Sequence, residues 1–483
     1  MKRFLACLAL SGATPLAAHP AGEQPIIFET RDGETVEAFR GSLTVPENRA
    51  DPASRTIELS YVRFPATTDV AGAPIFYLAG GPGGSGSDTA RGDRFPLFMA
   101  MRQHGDVIAF DQRGTGASTA LPRCTSSIVP SQVEPLDDRA YADLYRAAAR
   151  ECDAFWRSEG VDIRGYTTGE SVRDLSALRA HLEAPKIVLW GISYGSHLAL
   201  AALDAIPGEI DRAIIASAEG LDQTVKLPAR TDAYFARLQA AVDAQPRAKA
   251  LYPDIAGLVR RVHARLEAEP LMLDVQPQEG APFPFLLRRR HLQEFAAGLI
   301  ADPGNAALML ALYRSLDQGD PGLAAFLIGA FERAEAPIAL SPMPVAMDVA
   351  SGISEQRLAL FEDQRATALL GPYLNFPMPQ LHGLWPDLDL GEDFRNGPAG
   401  DTPVLLLTGT LDGRTYPEGQ REAVASLSNV TQIFVSGAGH NLFMTDPAVA
   451  EAMHRFMRGE QAENSAIDVA VPNLAELPGW AGG

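Results

Sequence analysis

Short apolar runs rich in Val, Ile, Leu and Phe recur along the chain at 57–64, 74–79, 106–110, 186–190, 213–217, 403–408 and 431–436. Most are continuous rather than alternating, the pattern of strands covered on both faces, which belongs to parallel sheets. Helical stretches separate them, so the pattern predicts a mostly parallel sheet with helices on both faces. Between 217 and 403 this rhythm stops. Apolar residues there fall at helical spacing, as in Ile255, Leu258, Val259, Val262 and Leu266, and again in Leu292, Phe295, Leu299 and Ile300. Connectors carrying Pro337, Pro342 and Pro344, then Pro372, Pro377 and Pro379, punctuate the stretch. It is expected to be a mainly helical lid inserted over the C-terminal edge of the strands.

The run at 186–190 opens directly into Gly191-Ile192-Ser193-Tyr194-Gly195, followed by small and apolar residues at helical spacing. A serine presented on so tight a strand-to-helix turn needs small residues two before and two after it, which makes this the pattern of a nucleophile elbow. Such a serine also needs an acid and a base, in the chain order Ser, Asp or Glu, His. The run at 403–408 leads into Gly409-Thr410-Leu411-Asp412-Gly413, and the run at 431–436 into Gly437-Ala438-Gly439-His440-Asn441. Ser193 is therefore the expected nucleophile, His440 its base and Asp412 the carboxylate that orients the imidazole. After 74–79 comes Gly80-Gly81-Pro82-Gly83-Gly84-Ser85-Gly86, a loop with exposed backbone N–H groups. The N–H groups of Gly81 and Tyr194 are the expected oxyanion pair. These glycines do not spell a phosphate loop, because the Lys-Ser/Thr is missing and no Rossmann-type acidic partner follows. No His-Glu-x-x-His or other clustered ligand spacing occurs, so neither a metal nor a cofactor is expected.

Ala79-Gly80-Gly81-Pro82-Gly83, Asp111-Gln112-Arg113-Gly114-Thr115-Gly116-Ala117-Ser118 and Gly191-Ile192-Ser193-Tyr194-Gly195-Ser196, in this order and spacing, resemble the proline iminopeptidase and tripeptidyl aminopeptidase branch of the α/β-hydrolases. Gly41-Ser42-Leu43-Thr44-Val45-Pro46-Glu47-Asn48 resembles the opening strand of the tripeptidyl aminopeptidase-like members. The likeness runs from about residue 40 to about 460 and is weakest in the middle. Ala79 stands where iminopeptidases usually carry histidine, a departure that bears on the subgroup more than on the chemistry. The resemblance implies an α/β-hydrolase fold and acyl transfer through a serine acyl-enzyme. A serine nucleophile disfavours epoxide or haloalkane hydrolysis. Arg113 and Asp111 are expected to lock their loop as a structural ion pair beneath the site, with substrate-carboxylate binding by Arg113 as the alternative.

An aminopeptidase must also recognise a protonated α-amine, which calls for carboxylates near the lid. Glu219, just past 213–217, and Asp348 and Glu355, in the segment 346–356, are the candidates. Without such a group the chain reads as a carboxylesterase or lactonase of small esters. A binding protein on the same scaffold would normally have lost a triad member.

The chain has 483 residues, beyond usual single-domain size, with 46% hydrophobic and 21% charged residues. We divide it into a signal peptide at 1–18, hydrolase core at 19–221, helical lid at 222–400, returning core at 401–460 and a tail at 461–483 that wraps the surface or is disordered. A net charge of −19 argues against a nucleic-acid partner. No apolar run is long enough to span a membrane. Met1-Lys2-Arg3, an apolar stretch and Ala17-Ala18 read as a secretory signal cut near Ala18, placing the protein in the periplasm or outside the cell. There Cys124 and Cys152 are expected to pair, two buried thiols being the alternative. Arg288-Arg289-Arg290 reads as a solvated helix face. Nothing in the sequence fixes the oligomeric state.

Overall fold

The computed structural model describes residues 22–460 and 466–477; the expected signal and its cleavage point lie outside them. Ten strands form one sheet: β1 (Gln24–Glu29), β2 (Thr35–Pro46), β3 (Thr56–Phe64), β4 (Ile75–Leu78), β5 (Val107–Asp111), β7 (Ile187–Ile192), β8 (Ile210–Ala216), β12 (Val404–Gly409), β13 (Val430–Ser436) and β14 (Ile467–Asp468). Among the described residues four further strands lie outside it: β6 (Cys124–Thr125), β9 (Leu271–Val275), β10 (Phe283–Leu287) and β11 (Ala339–Leu340). The sheet order is β1-β2-β3-β5-β4-β7-β8-β12-β13-β14. Antiparallel pairing runs from β1 to β5, and pairing is parallel from β5 onward.

Alternate residues of the central strands enter two different cores, which is why their sequences read as unbroken apolar runs. Phe76, Leu78, Ile108, Phe110 and Leu189 face one side, with the helices Asp138–Ser158, Thr168–His181 and Tyr194–Ala205. Ile75, Tyr77, Val107, Ala109 and Trp190 face the other, with Phe95–Met101 and Pro447–Met457. The last described stretch clamps the far edge: Ile467–Asp468 pairs with Val435–Ser436, and Leu474 is buried.

The segment between β8 and β12 is mainly helical, but it also contains the antiparallel ribbon of β9 and β10, which the helical reading of its spacing does not anticipate. Pro284 lies within this two-stranded ribbon, a setting that tolerates a residue with no N–H to donate. Helices Ile255–Ala268, Arg289–Leu299 and Pro303–Asp317 share a separate hydrophobic core with the ribbon. Pro342–Ser351 instead joins the core against the sheet, through Met343, Val345, Ala346 and Met347. It is led there by β11, which pairs with β6 beside a disulfide between Cys124 and Cys152.

Two charge placements differ from expectation. Arg113 is fully buried, but its ion pair is with Asp174, both bonds 2.7 Å long, and not with Asp111. Asp111 instead accepts from the Ser85 and Ser87 hydroxyls at 2.6 and 2.7 Å and so fixes the end of the glycine loop. The arginine run is solvated only in part, Arg288 and Arg289 being half-buried. Arg290 is 4% exposed, sits 4.2 Å from the Tyr141 ring centroid and donates to the Leu136 carbonyl, while Arg289 reaches Asp138 and Glu267. A neighbouring loop packs across this end of its helix and covers what spacing alone leaves facing water.

Candidate active site

Strand β7 ends at Ile192, and Ser193 takes φ 55° and ψ −127° before the helix Tyr194–Ala205 begins. A non-glycine residue rarely holds positive φ, and strain of this kind persists only where the surroundings enforce it. Here the enforcement is steric. A Cβ on Gly195 would lie 2.0 Å from the Leu78 carbonyl oxygen, and one on Gly191 would lie 2.4 Å from that of Gly195. Hydrogen bonds complete the turn: Ser193 N–H donates to the Ala216 carbonyl at 3.2 Å, and the Ser196 hydroxyl donates to the Ser193 carbonyl at 2.5 Å. The glycine-rich loop passes close by, since a Cβ placed on Gly80 would sit 3.6 Å from Ser193 Oγ. Tyr194 opens the helix, where first-turn N–H groups have no intrahelical acceptor.

Asp412 follows β12 and is fully buried. It accepts from the Arg414 and Thr415 backbone N–H groups at 2.8 Å each and from the Thr415 hydroxyl at 2.7 Å. Its Oδ2 lies 3.0 Å from His440 Nδ1. Burial pushes the Asp412 carboxyl up, but His440 and these donors outweigh burial and hold it below the usual carboxylate range. A carboxylate at Nδ1 fixes the proton there and leaves Nε2 as the acceptor. The Ser217 hydroxyl donates to the His440 carbonyl at 2.8 Å, so adjoining residues at the end of β8 hold both the Ser193 turn and the His440 loop.

A cavity of about 280 Å³ adjoins Gly81 and is lined in part by Glu294, Asp348, Tyr373, Asn375 and Arg414. Two of its carboxyls are strongly perturbed. Burial pushes Glu294 up to about 8, against the opposing pull of Arg290. Burial, and then the nearby Glu219 charge, push Asp348 up to about 8. Glu294 Oε1 and Asn375 Oδ1 are both buried and have no hydrogen-bond partner among the described residues. Buried acceptors are nearly always satisfied, so two unpaired oxygens on one cavity wall mark a place for a donor. Arg414 is engaged, donating to the Leu374 carbonyl at 2.6 Å.

Of the three carboxylates expected from sequence, only Asp348 reaches this cavity. Glu219 is 8% exposed and accepts from Lys226 Nζ at 2.6 Å. Burial alone would raise it, but Lys226 and His197 hold it below its ordinary range. Glu355 is exposed in the first turn of the helix Glu355–Gln364. Glu294 and Asn375 escaped the sequence reading. A signal for Glu294 existed: Ala297 and Gly298, three and four positions on, share its helix face and leave space beside its carboxyl.

A family model described as alpha/beta hydrolase fold matches residues 73–447. Serine protease Hip1 of Mycobacterium tuberculosis is 28% identical over 231 residues, 44% of this chain and 43% of the relative. Tripeptidyl aminopeptidase of Streptomyces coelicolor is 31% identical over 196 residues, 37% of this chain and 34% of the relative. Carboxylesterase B of M. tuberculosis is 27% identical over 290 residues, 53% and 52% of the two chains. The matches thus span about half or less of each curated relative.

Proposed function

Because this chain belongs to the α/β-hydrolase fold family, we propose that it is a serine hydrolase acting as an exo-aminopeptidase, which releases residues or short peptides from a free amino terminus. The observation that carries this reading is the cavity beside Gly81, with its raised carboxyls and unpaired acceptor oxygens. An α-ammonium supplies N–H donors for Glu294 Oε1 and Asn375 Oδ1, and a mobile positive charge beside Glu294 and Asp348. The cavity lies near the lower end of small-ligand pocket volumes, so it suits a chain end rather than a chain running through.

In this reading the ammonium is held there while the scissile carbonyl meets Ser193, with Gly81 shared by the cavity and the expected oxyanion pair. His440 Nε2 takes the hydroxyl proton as Oγ attacks, and Asp412 stabilises the imidazolium. The Gly81 and Tyr194 N–H groups receive the oxyanion. His440 then returns the proton to the leaving amine, and water repeats the sequence to free the acyl group. The expected signal at the amino terminus and the Cys124–Cys152 disulfide support export to the periplasm or beyond. Among the described residues no helix is long and apolar enough to cross a membrane.

The likeness to a carboxylesterase gives a second reading, an esterase using the same triad. Free-amine aminoacyl and tripeptidyl p-nitroanilides, their N-acetylated counterparts and short p-nitrophenyl esters separate the two, with Ser193→Ala as blank. Turnover of anilides only when the amine is free supports the aminopeptidase. Ester turnover alone, abolished in the variant, keeps the triad and overturns the amine site.

A further inference from the structure

His440 and Asn441 occupy a loop with glycine at 437 and 439, and Asn441 is exposed. Such a loop does not hold an imbedded imidazole still by itself. Its outside anchors come largely from the inserted segment. The turn between the helices Arg289–Leu299 and Pro303–Asp317 lies against both loops that carry Asp412 and His440. A Cβ on Gly413 would fall 2.1 Å from the Ile300 carbonyl oxygen, and one on Gly439 would fall 2.5 Å from Asp302 Oδ1. The His440 N–H donates to the Ala301 carbonyl at 2.9 Å. Asn441 is gripped twice by Asp302, its N–H donating to Oδ1 and its Nδ2 to Oδ2, each at 3.0 Å. From the sheet side, Arg94 Nη2 donates to Asn441 Oδ1 at 3.1 Å, while Arg94 also contacts the Tyr77 hydroxyl.

Asp302 is the N-cap of Pro303–Asp317, with extended backbone, yet its side chain makes no bond to its own helix. Asp137, Asp254 and Asp446 at equivalent positions all cap theirs. Both Asp302 oxygens are committed to Asn441 instead.

We propose that Asp302, Asn441 and Arg94 are positioning residues that hold the His440 loop, so that the base is aligned only when the inserted segment is seated. This rests on the assignment of His440 as base, but not on the amine site. The node has a defined donor and acceptor order. Asp302→Asn sets an amide NH2 against the Asn441 NH2, and Asn441→Asp sets two carboxylates together. The double exchange restores a complementary set, with the residue 302 amide donating to the residue 441 carboxylate, which also accepts from Arg94.

The test assays the full chain, these two single variants, the double variant and His440→Ala. Substrates are a free-amine p-nitroanilide and a p-nitrophenyl ester, with a fluorophosphonate to label the serine. The single variants are expected to lose about ten- to a hundredfold in kcat and in labelling rate, by the same factor on both substrates. KM for the anilide stays unchanged, and the double variant recovers most of the loss. Single variants that keep kcat, or change only KM, overturn the proposal, as does a double variant no better than the singles. An active His440→Ala overturns the base assignment and the node with it. An inactive His440→Ala beside fully active single variants overturns the node alone.

Discussion

Replacing Glu294 by Gln tests the amine site from two directions at once. For binding, the change removes an acceptor that a bound ammonium can hold charged and leaves a neutral one of the same shape. A hydrogen bond to a charged group contributes about 1.5–3 kcal/mol, so kcat/KM for free-amine anilides is expected to fall roughly 10- to 150-fold. Substrates without the amine are unaffected. For stability the effect has the opposite sign. The Glu294 carboxyl titrates near 8 when folded, above its ordinary 4.5, because burial disfavours the charge. Between these values the folded state binds the proton and the unfolded state does not, so stability falls as pH rises. By pH 7 that linkage amounts to at most about 3 kcal/mol, reduced by whatever exposure the carboxyl keeps to the cavity. Glu294→Gln is therefore expected to unfold at higher urea than the parent at pH 8 and at equal urea near pH 4. Paired urea titrations and anilide kinetics read both effects. Reduced activity with reduced stability at pH 8 would refute the reasoning, because Glu294 would then be a structural residue rather than a strained receptor for a cation.

The pH profile carries the same logic to the substrate. Free-amine turnover should pass through a maximum near pH 8, since the cavity carboxyls take up protons below about 8 and an α-amine loses its own above about 8; an ester profile with the same alkaline limb would count against the amine site. Lys226→Met leaves Glu219 buried without its partner and should cost about 3–5 kcal/mol in urea unfolding, whereas Met at both positions should come close to neutral. If the single variant unfolds with the parent, the pair is not buried in the way described. Reducing the disulfide, or replacing Cys124 and Cys152 by Ser, should cost about 3.5 kcal/mol for a closed loop with sequence separation 28. Thermal unfolding with and without reductant measures it, and an unchanged transition would show that the crosslink constrains little.

The central sheet was legible because its strands are buried on both faces: each apolar run expected from the sequence lies at one of β3, β4, β5, β7, β8, β12 and β13. Local spelling also placed Ser193, Asp412 and His440 at strand ends, since each sits in a glycine-bearing loop just past an apolar run. The ribbon of β9 and β10 was not legible, because Met272 and Leu286 make its outer face apolar as well, which hides the alternation, and Pro284 argues against a strand. The cavity carboxyls were read least well. Glu219 looked suitable by position, but the Lys226 that neutralises it is only seven residues away, and nothing in the spacing tells whether that lysine folds back. Glu294 looked like part of an ordinary amphipathic helix. Its role depends on which face meets the glycine loop, and that is decided by packing across long sequence separation.

The inserted segment is more than a cover for a finished site. One continuous stretch, from Glu294 through the end of its helix to Asp302, lines the cavity at one end and holds the His440 loop at the other. Glu294 lies in the last two turns of the helix Arg289–Leu299, and Asp302 lies in the turn just past its end. That helix runs straight into the turn at 300–302, so a displacement at the cavity carries over to the turn that holds the base loop. Opening the segment far enough to release the cavity would withdraw the Ala301 carbonyl from the His440 N–H and the Asp302 carboxylate from Asn441. In the proposed reading, recognition of the chain end and alignment of the base both depend on the seating of this one segment. An ester too small to reach Glu294 can use the aligned base only as often as the segment seats unaided, which gives free-amine substrates an advantage in kcat as well as in KM.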